Sequence, residues 1–253
     1  MKHKLQNILG LSFQLAKTNF KLRNEGSYLG IFWYLLEPIV SFAVLLVVGG
    51  ILAQNTIPYY PIYLFIGLIM FNFFTATTNY SAQTIINNGS FLKSIKINSE
   101  VFVISGVMQF LFSHSFEFLL VIALGIFLKM NILWFIFYPI VLFFFALFII
   151  GVSFMLSVFS VYVADLKNVW AVFTRLLWFV TPIFYVIPTN SLVHTVSMFN
   201  PMYHFINIAR DIIIFHRIVE IRTFILALVS SILVFAIGLY IFEKNKSKLA
   251  ERL

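Results

Sequence analysis

The sequence predicts an all-α integral membrane protein with six transmembrane helices, and three observations support this fold class. Hydrophobic residues make up 61% of the chain and charged residues only 10%, whereas soluble domains carry about 25% charged residues. A length of 253 residues accommodates about six spans of roughly 20 residues with their connections. Six apolar segments are long enough to span a bilayer, and they cover residues 31–52, 61–85, 101–127, 133–161, 169–187 and 223–242.

Residues 5–20 precede the first span and are predicted to form an amphipathic helix at the membrane interface. Apolar and small residues recur at helical spacing at Ile8, Ser12, Ala16 and Phe20, with lysine and amide side chains mainly on the other faces. A helix of this type lies in the interface and directs its lysines toward the lipid headgroups. The alternative is that these residues are the frayed start of the first span.

The connection between the second and third spans, residues 87–100, is predicted to contain a short amphipathic helix. Phe91 and Leu92 lie on one side of such a helix, and Lys93 and Lys96 lie on another. A short helix can dock into a groove of a partner through its apolar side chains. The alternative is a plain turn whose lysines only mark the cytoplasmic side.

Residues 188–222, between the fifth and sixth spans, are apolar but interrupted by prolines and by Asn200. The two pieces on either side of Asn200–Pro201, residues 191–199 and 202–215, are too short to span. Non-helical backbone at membrane depth must be buried in protein or line a water-filled cavity. We therefore predict two short re-entrant helices that line an outer mouth.

The net charge of +8 indicates the orientation of the chain rather than nucleic-acid binding. With the N-terminus inside, 12 of the 17 Lys and Arg residues fall on the inner side and four on the outer side. Cytoplasmic loops carry an excess of Lys and Arg, so both termini are predicted to be cytoplasmic.

The chain carries no phosphate-binding loop of the GxxxxGK[ST] type and no polar stretch long enough for a nucleotide-binding domain. We expect no catalytic residues, no metal site and no cofactor in this chain. If its work requires ATP and Mg²⁺, a separate subunit must bind them.

Residues 23–38 resemble the opening signature of the ABC-2 type permeases that export polysaccharides or polyol phosphates. That signature is a basic residue, a Gly-Ser-x-Leu-Gly run, a Trp and a closing Pro, which match Arg23, residues 26–30, Trp33 and Pro38. The resemblance continues in order over nearly the whole chain, through residues 61–74, 87–100, 163–167 and 181–185, Asn200–Pro201 and Arg210. The chain departs from the family pattern at Glu37, where Asn is more usual, at Ala164, where an Arg is common, and near Asn98, where the usual Pro is missing.

The resemblance implies a half-transporter that forms a homodimer and binds two copies of a separate nucleotide-binding ATPase. It implies export of a lipid-linked O-antigen, capsule-like glycan or teichoic acid across the cytoplasmic (inner) membrane. Residues 87–100 stand where the family has its coupling helix, so Phe91, Leu92, Lys93 and Lys96 are the predicted ATPase-coupling residues.

Aromatic side chains with a polar group are the candidates for contacts with a glycan, because they cover apolar sugar faces and tolerate many hydroxyl patterns. The alternative is an aromatic belt at the membrane interface. These candidates are Trp33, Tyr34, Tyr59, Tyr60, Trp178 and Tyr185.

Three ionisable residues are further candidates for a channel or gate. His114 and Glu117 stand three apart in the third span and therefore share a helix face. Charged groups within a span usually face the protein interior or water. From its expected depth in the outer half, we expect Glu117 to pair with Arg210. A structural polar pair is the alternative, and two ligands are too few for a metal site.

Three other functions stay open at this point. The nearest is an ABC-2 exporter of drugs or lipids. An integral membrane transferase acting on lipid-linked substrates would need paired carboxylates or a nucleophile with its base on one membrane face, and Asp165 and Asp211 are predicted on opposite faces. A proton-coupled carrier would need several ionisable residues near the midplane, where only His114 and Glu117 are grouped.

Overall fold

The computed structural model describes residues 2–23, 25–53, 57–94, 97–187, 191–217 and 219–252. Within these residues the regular secondary structure is entirely helical, which confirms the all-α part of the predicted fold class. Two short 3-10 segments occupy Gly30–Phe32 and Ile132–Phe137. The α-helices are α1 Lys2–Leu22, α2 Trp33–Ala53, α3 Tyr60–Asn87, α4 Gly89–Ser94, α5 Glu100–Phe127, α6 Tyr138–Tyr162, α7 Leu166–Val180, α8 Leu192–Ser197, α9 Pro201–Ile213 and α10 Ile221–Arg252.

Among the residues that the structure describes, four helical segments are long and apolar enough to cross a membrane. They are Tyr60–Asn87, Glu100–Phe127, Ile132–Tyr162 and Ile221–Leu249, and they coincide with four of the six predicted spans. The predicted first span corresponds to α2, whose apolar part is shorter. The predicted fifth span corresponds to α7, which is only 15 residues long.

Helix α7 ends before the apolar run of the fifth predicted span does, because Pro182 follows Thr181. A residue before proline is driven out of the helical region, and Thr181 adopts φ −86° and ψ 125°. Helix α7 therefore rises about 22 Å, less than the roughly 30 Å hydrocarbon core. Residues 181–187 continue as an unwound segment without regular structure.

Helix α3 is the centre of the bundle. It packs against α2, α5, α6, α7 and α9. Aromatic rings fill the space between these helices, with Phe73 against Phe145 and Phe74 against Phe148. Side chains on α3 are therefore positioned by rigid neighbours on several sides.

Helices α6 and α10 run in the same direction and touch through their backbones. A Cβ atom on Gly151 would lie 2.5 Å from the carbonyl oxygen of Val234, and one on Gly238 would overlap the carbonyl oxygen of Gly151. Further along, the rings of Phe154 and Phe242 are 4.8 Å apart. Small residues allow this close approach, which is a common way for helices to associate in membranes.

Helix α1 has the predicted apolar face, and Ile8, Ser12 and Ala16 on this face are buried in the protein. It packs lengthwise along α5, where the Ser12 hydroxyl donates to the carbonyl of Val101 and the Phe20 ring stacks on that of Phe116. These contacts progress in the same order along both helices, so α1 runs parallel to the first half of α5. Its location at the membrane interface stays a prediction.

The segment between α7 and α10 contains two short helices, α8 and α9, as the sequence predicts. They are separated at Asn200, whose side chain accepts a hydrogen bond from the backbone N–H of Met202, while Pro201 opens α9. An Asn cap followed by Pro is a strong helix start. Residues 188–190 and 218 lie outside the described residues, and re-entry into the membrane stays a prediction.

Candidate functional site

A row of polar side chains runs along α3, inside an otherwise apolar candidate span. The row comprises Asn72, Thr75, Asn79 and Gln83, and all four are partly exposed. Residues three or four apart lie on the same helix face, so the four form one continuous polar stripe. Polar groups inside a membrane segment normally face the protein interior or water. The polar stripe therefore marks a surface that is not built for lipid.

The stripe lines a cavity of about 500 Å³ between α3 and α7. The indole of Trp170 donates to the hydroxyl of Thr78 at 2.9 Å and ties the two helices together beside it. Trp178 packs edge-on against Phe71 with ring centroids 5.1 Å apart. Helix α7 contributes to the lining Lys167, Asn168, Ala171, Thr174, Arg175 and Trp178.

A second cavity, of about 270 Å³, lies on the other side of the stripe, between α2, α3 and α5. Asn72, Thr75 and Asn79 line both cavities, so the stripe is the wall that they share. The other polar or charged residues lining the second cavity are Arg23, Tyr34, Glu37, Ser41, Ser113, His114 and Glu117.

Glu117, His114 and Tyr138 form a hydrogen-bonded chain at this second cavity. The Oε2 atom of Glu117 is 3.2 Å from Nδ1 of His114, and Nε2 of His114 is 2.7 Å from the Tyr138 hydroxyl. The contact between His114 and Glu117 matches the structural polar pair, and both residues line the cavity.

The predicted pairing of Glu117 with Arg210 is wrong. Arg210 is only 1% exposed, and its guanidinium donates to backbone carbonyls. Nη1 donates to Pro182 at 2.8 Å, Nη2 donates to Ile183 at 2.7 Å, and Nε and Nη2 both reach the carbonyl of Tyr63. The reason is the end of α7, where carbonyls without helical partners need donors that lipid cannot provide.

Side chains supply donors to four successive carbonyls of the unwound segment. Arg210 serves Pro182 and Ile183, the Tyr60 hydroxyl donates to Phe184 at 3.2 Å, and the Tyr63 hydroxyl donates to Tyr185 at 3.1 Å. The Asn200 amide also donates to the hydroxyl of Thr181 at 2.9 Å. This carbonyl cluster joins α3, the unwound segment and α9 into one unit.

Gly67 makes room for the carbonyl cluster. A Cβ atom at this position would lie 2.6 Å from Nη2 of Arg210 and 3.2 Å from the carbonyl oxygen of Ile183. The guanidinium also lies 3.5 Å from the centroid of the Tyr63 ring, a cation–π distance. The backbone carbonyls, the Tyr63 ring and the backbone at Gly67 thus enclose the Arg210 guanidinium.

The six predicted aromatic candidates separate into three groups. Tyr34 and Trp178 line the cavities beside the polar stripe. Tyr60 and Tyr185 belong to the carbonyl cluster, and the Tyr185 hydroxyl donates to the carbonyl of Phe179 at 2.7 Å. Trp33 and Tyr59 are exposed and lie outside both cavities.

The predicted coupling residues lie on α4, except Lys96, which falls outside the described residues. Phe91 is 53% exposed. Leu92 is partly buried and packs against an apolar cluster that includes Ile85 and Val103. Lys93 is exposed. The helix therefore presents one large apolar side chain outward.

The four residues of the polar stripe were not among the site residues expected from the sequence. The sequence nevertheless indicates the polar stripe, because polar residues three or four positions apart in an apolar segment form one polar helix face. Amides and hydroxyls carry no charge, so they are a weaker signal in an apolar segment than ionisable residues are.

Comparison with known proteins provides an independent line of evidence. The family model described as ABC-2 type transporter matches residues 11–214. The chain is 25% identical over 247 residues to the O-antigen export system permease protein RfbA of Myxococcus xanthus, covering 96% of this chain and 95% of that protein. It is 24% identical over 258 residues to a protein of the same name from Klebsiella pneumoniae, covering 99% and 98% of the two chains.

Proposed function

Because this chain belongs to the ABC-2 type transporter family, we propose that it is the transmembrane subunit of an ABC exporter for a cell-surface polymer. The cargo is a lipid-linked polysaccharide or a teichoic-acid-like polymer, moved out across the cytoplasmic membrane. A separate ATPase subunit, which binds ATP and Mg²⁺, drives the movement. The names of the relatives support a polymer of the O-antigen type.

The observation that carries this proposal is the polar stripe. Amide and hydroxyl side chains at Asn72, Thr75, Asn79 and Gln83 can hydrogen-bond to many arrangements of sugar hydroxyls. Tyr34 and Trp178 add aromatic faces on either side, which suit the apolar faces of sugars. A hydroxyl-rich cargo fits this lining better than an apolar drug, which is the nearest rival.

We infer that two copies of the chain form the working channel. In one copy the polar stripe is only partly covered by α2 and α7. A second copy related by a two-fold axis would present the same stripe from the opposite side and enclose a polar path. Two ATPase subunits would then bind beneath, one at each copy.

The charge distribution supports a six-span topology with both termini in the cytoplasm. The ends of α3, α6 and α10 share one side of the bundle, where Lys246 lies 3.2 Å from Glu100 at the start of α5. This side also carries Lys93 and Lys167, as expected for the cytoplasmic face. In this arrangement α2 and α7 complete the set of spans, and α8 and α9 lie in the outer leaflet.

Replacing the two stripe asparagines, in the variant Asn72→Leu with Asn79→Leu, is expected to lower export at least tenfold while folding is retained. Two cargo hydrogen bonds of about 1 kcal/mol each are lost, and about 1.4 kcal/mol corresponds to a factor of ten. Surface polymer displayed by cells that carry only the variant measures the effect. Thr77→Val, on a buried face of the same helix, is the control and should export normally. Normal export by the double variant would place the stripe outside the pathway.

Replacing Phe91 with alanine is expected to weaken binding of the ATPase subunit at least tenfold. Burial of a Phe side chain contributes about 1.5–3 kcal/mol, whereas an exposed ion pair contributes about 0–1 kcal/mol. Lys93→Ala, two residues away on the same helix, should therefore have a much smaller effect. Titration of the purified ATPase onto the membrane subunit measures both affinities. Equal affinities for the two variants and the wild type would refute docking through α4.

A further inference from the structure

A third cavity lies away from the polar stripe, between α6, α9 and α10. Its volume is about 680 Å³, which is within the range of small-molecule sites. Its walls are almost entirely apolar and include Ile140 and Phe144 of α6, Ile208 and Ile212 of α9, and Phe224 and Leu228 of α10. We call it the lateral groove.

The lateral groove results from the way in which α6 and α10 cross. Their backbones touch at Gly151 and Gly238, about 15 Å along α10 from the last groove residue, Leu228. A space opens between the two helices on the side of Ile221, and α9 fills only part of it. Because Ile221 and Leu228 both line the space, it extends about 10 Å along α10, roughly a third of the hydrocarbon core.

The lateral groove opens toward the surface that faces lipid. Helix α10 has α6 and α9 as its main neighbours and is therefore peripheral. The other side of α10 carries Leu226, Val229 and Leu233, each more than a third exposed. In a chain that spans the bilayer, we expect lipid to fill an apolar cavity beside a peripheral helix.

Polar groups gather at one end of the lateral groove. Arg217 contributes to its lining, and Nε and Nη2 of this residue donate to Oδ1 of Asp211 at 2.9 and 2.6 Å. The Arg217 side chain is nevertheless 63% exposed, so its other N–H donors are available. The neighbouring His216 has a buried Nε2 atom without a hydrogen-bond partner among the described residues, and its ring lies 5.8 Å from that of Trp134, which also lines the groove.

We propose that the lateral groove binds one phospholipid of the surrounding bilayer. An acyl chain lies between α6, α9 and α10, and the phosphate accepts hydrogen bonds from the Arg217 guanidinium. A guanidinium is the side chain best suited to a phosphate, and Trp134 is typical of residues at headgroup level. The proposal requires that α6 and α10 cross a bilayer, but not that the cargo is a glycan.

Native mass spectrometry of the purified full-length protein, after incubation with phosphatidylglycerol in mild detergent, tests the site. The wild type is expected to retain one phosphatidylglycerol per chain. Ile212→Trp fills the groove and should lower retention at least tenfold. Arg217→Gln, a change at an exposed side chain, should lower it several-fold. Leu233→Trp adds the same bulk on the side of α10 opposite the groove and should leave retention unchanged.

Two outcomes would overturn the proposal. One is equal retention by Ile212→Trp and Leu233→Trp, which would mean that bound lipid covers the surface generally. The other is displacement of phosphatidylglycerol by an equimolar polyprenyl phosphate, which would assign the groove to the lipid carrier of the cargo. Export measured in the same variants distinguishes this site from the channel. Arg217→Gln should export polymer at the level of the wild type, whereas export by the stripe variant should fall at least tenfold.

Discussion

Replacing Arg210 with methionine is expected to prevent most of the chain from reaching its folded state. The change leaves the carbonyls of Pro182 and Ile183 buried without donors. Each buried unsatisfied group costs about 1–3 kcal/mol, and hydrogen bonds to a charged donor are among the stronger ones. Two such losses, together with the lost contact to Tyr63, amount to a large part of a typical stability of about 5–15 kcal/mol.

The yield of monodisperse protein and its thermal unfolding midpoint measure this effect. Arg210→Lys should recover only part of the stability, because a single ammonium cannot reproduce the forked contacts of a guanidinium. Arg222→Met, at an exposed cation near the start of α10, is the control and should behave as the wild type. Glu117→Gln should not rescue Arg210→Met, because Glu117 is bonded to His114. A rescue would show that the two charges do interact.

Replacing Gly238 with leucine is expected to produce the second large effect, because it separates α6 from α10. The obstacle at this position is the backbone carbonyl of Gly151, which cannot rotate away as a side chain could. Inserting bulk into a packed contact typically costs about 1–3 kcal/mol, and more where the backbone must move. The midpoint of thermal unfolding should fall, and Gly238→Ala should show a smaller decrease in the same direction.

Gly10 provides the matched control for this glycine. A Cβ atom there meets nothing within 4 Å, and alanine is favoured over glycine within a helix by about 1 kcal/mol. Gly10→Ala should therefore leave the stability unchanged or raise it slightly. If Gly238→Leu unfolds at the same temperature as the wild type, the close crossing of α6 and α10 is not a source of stability.

Local features of the sequence were enough to predict most of the helices. Apolar runs located α3, α5, α6 and α10, and the Asn200–Pro201 pair located the start of α9, because hydropathy and helix capping depend on neighbouring residues. The pairing of His114 with Glu117 was predictable for the same reason, since residues three apart share a helix face. The end of α7 was missed because its apolar run continues beyond Pro182, although the proline itself disfavours a helix there.

The sequence by itself determined that this chain is a helical membrane protein, because its few charges cannot cover a surface in water and its apolar runs match the thickness of a bilayer. The partners of Arg210 were decided only by tertiary structure. Tyr63 lies 147 residues away from Arg210, and a buried cation can be stabilised by a carboxylate or by carbonyls. Which of these it meets depends on how α3, α9 and the unwound segment pack. The contact between Gly151 and Gly238, and with it the lateral groove, likewise depends on how two distant helices cross.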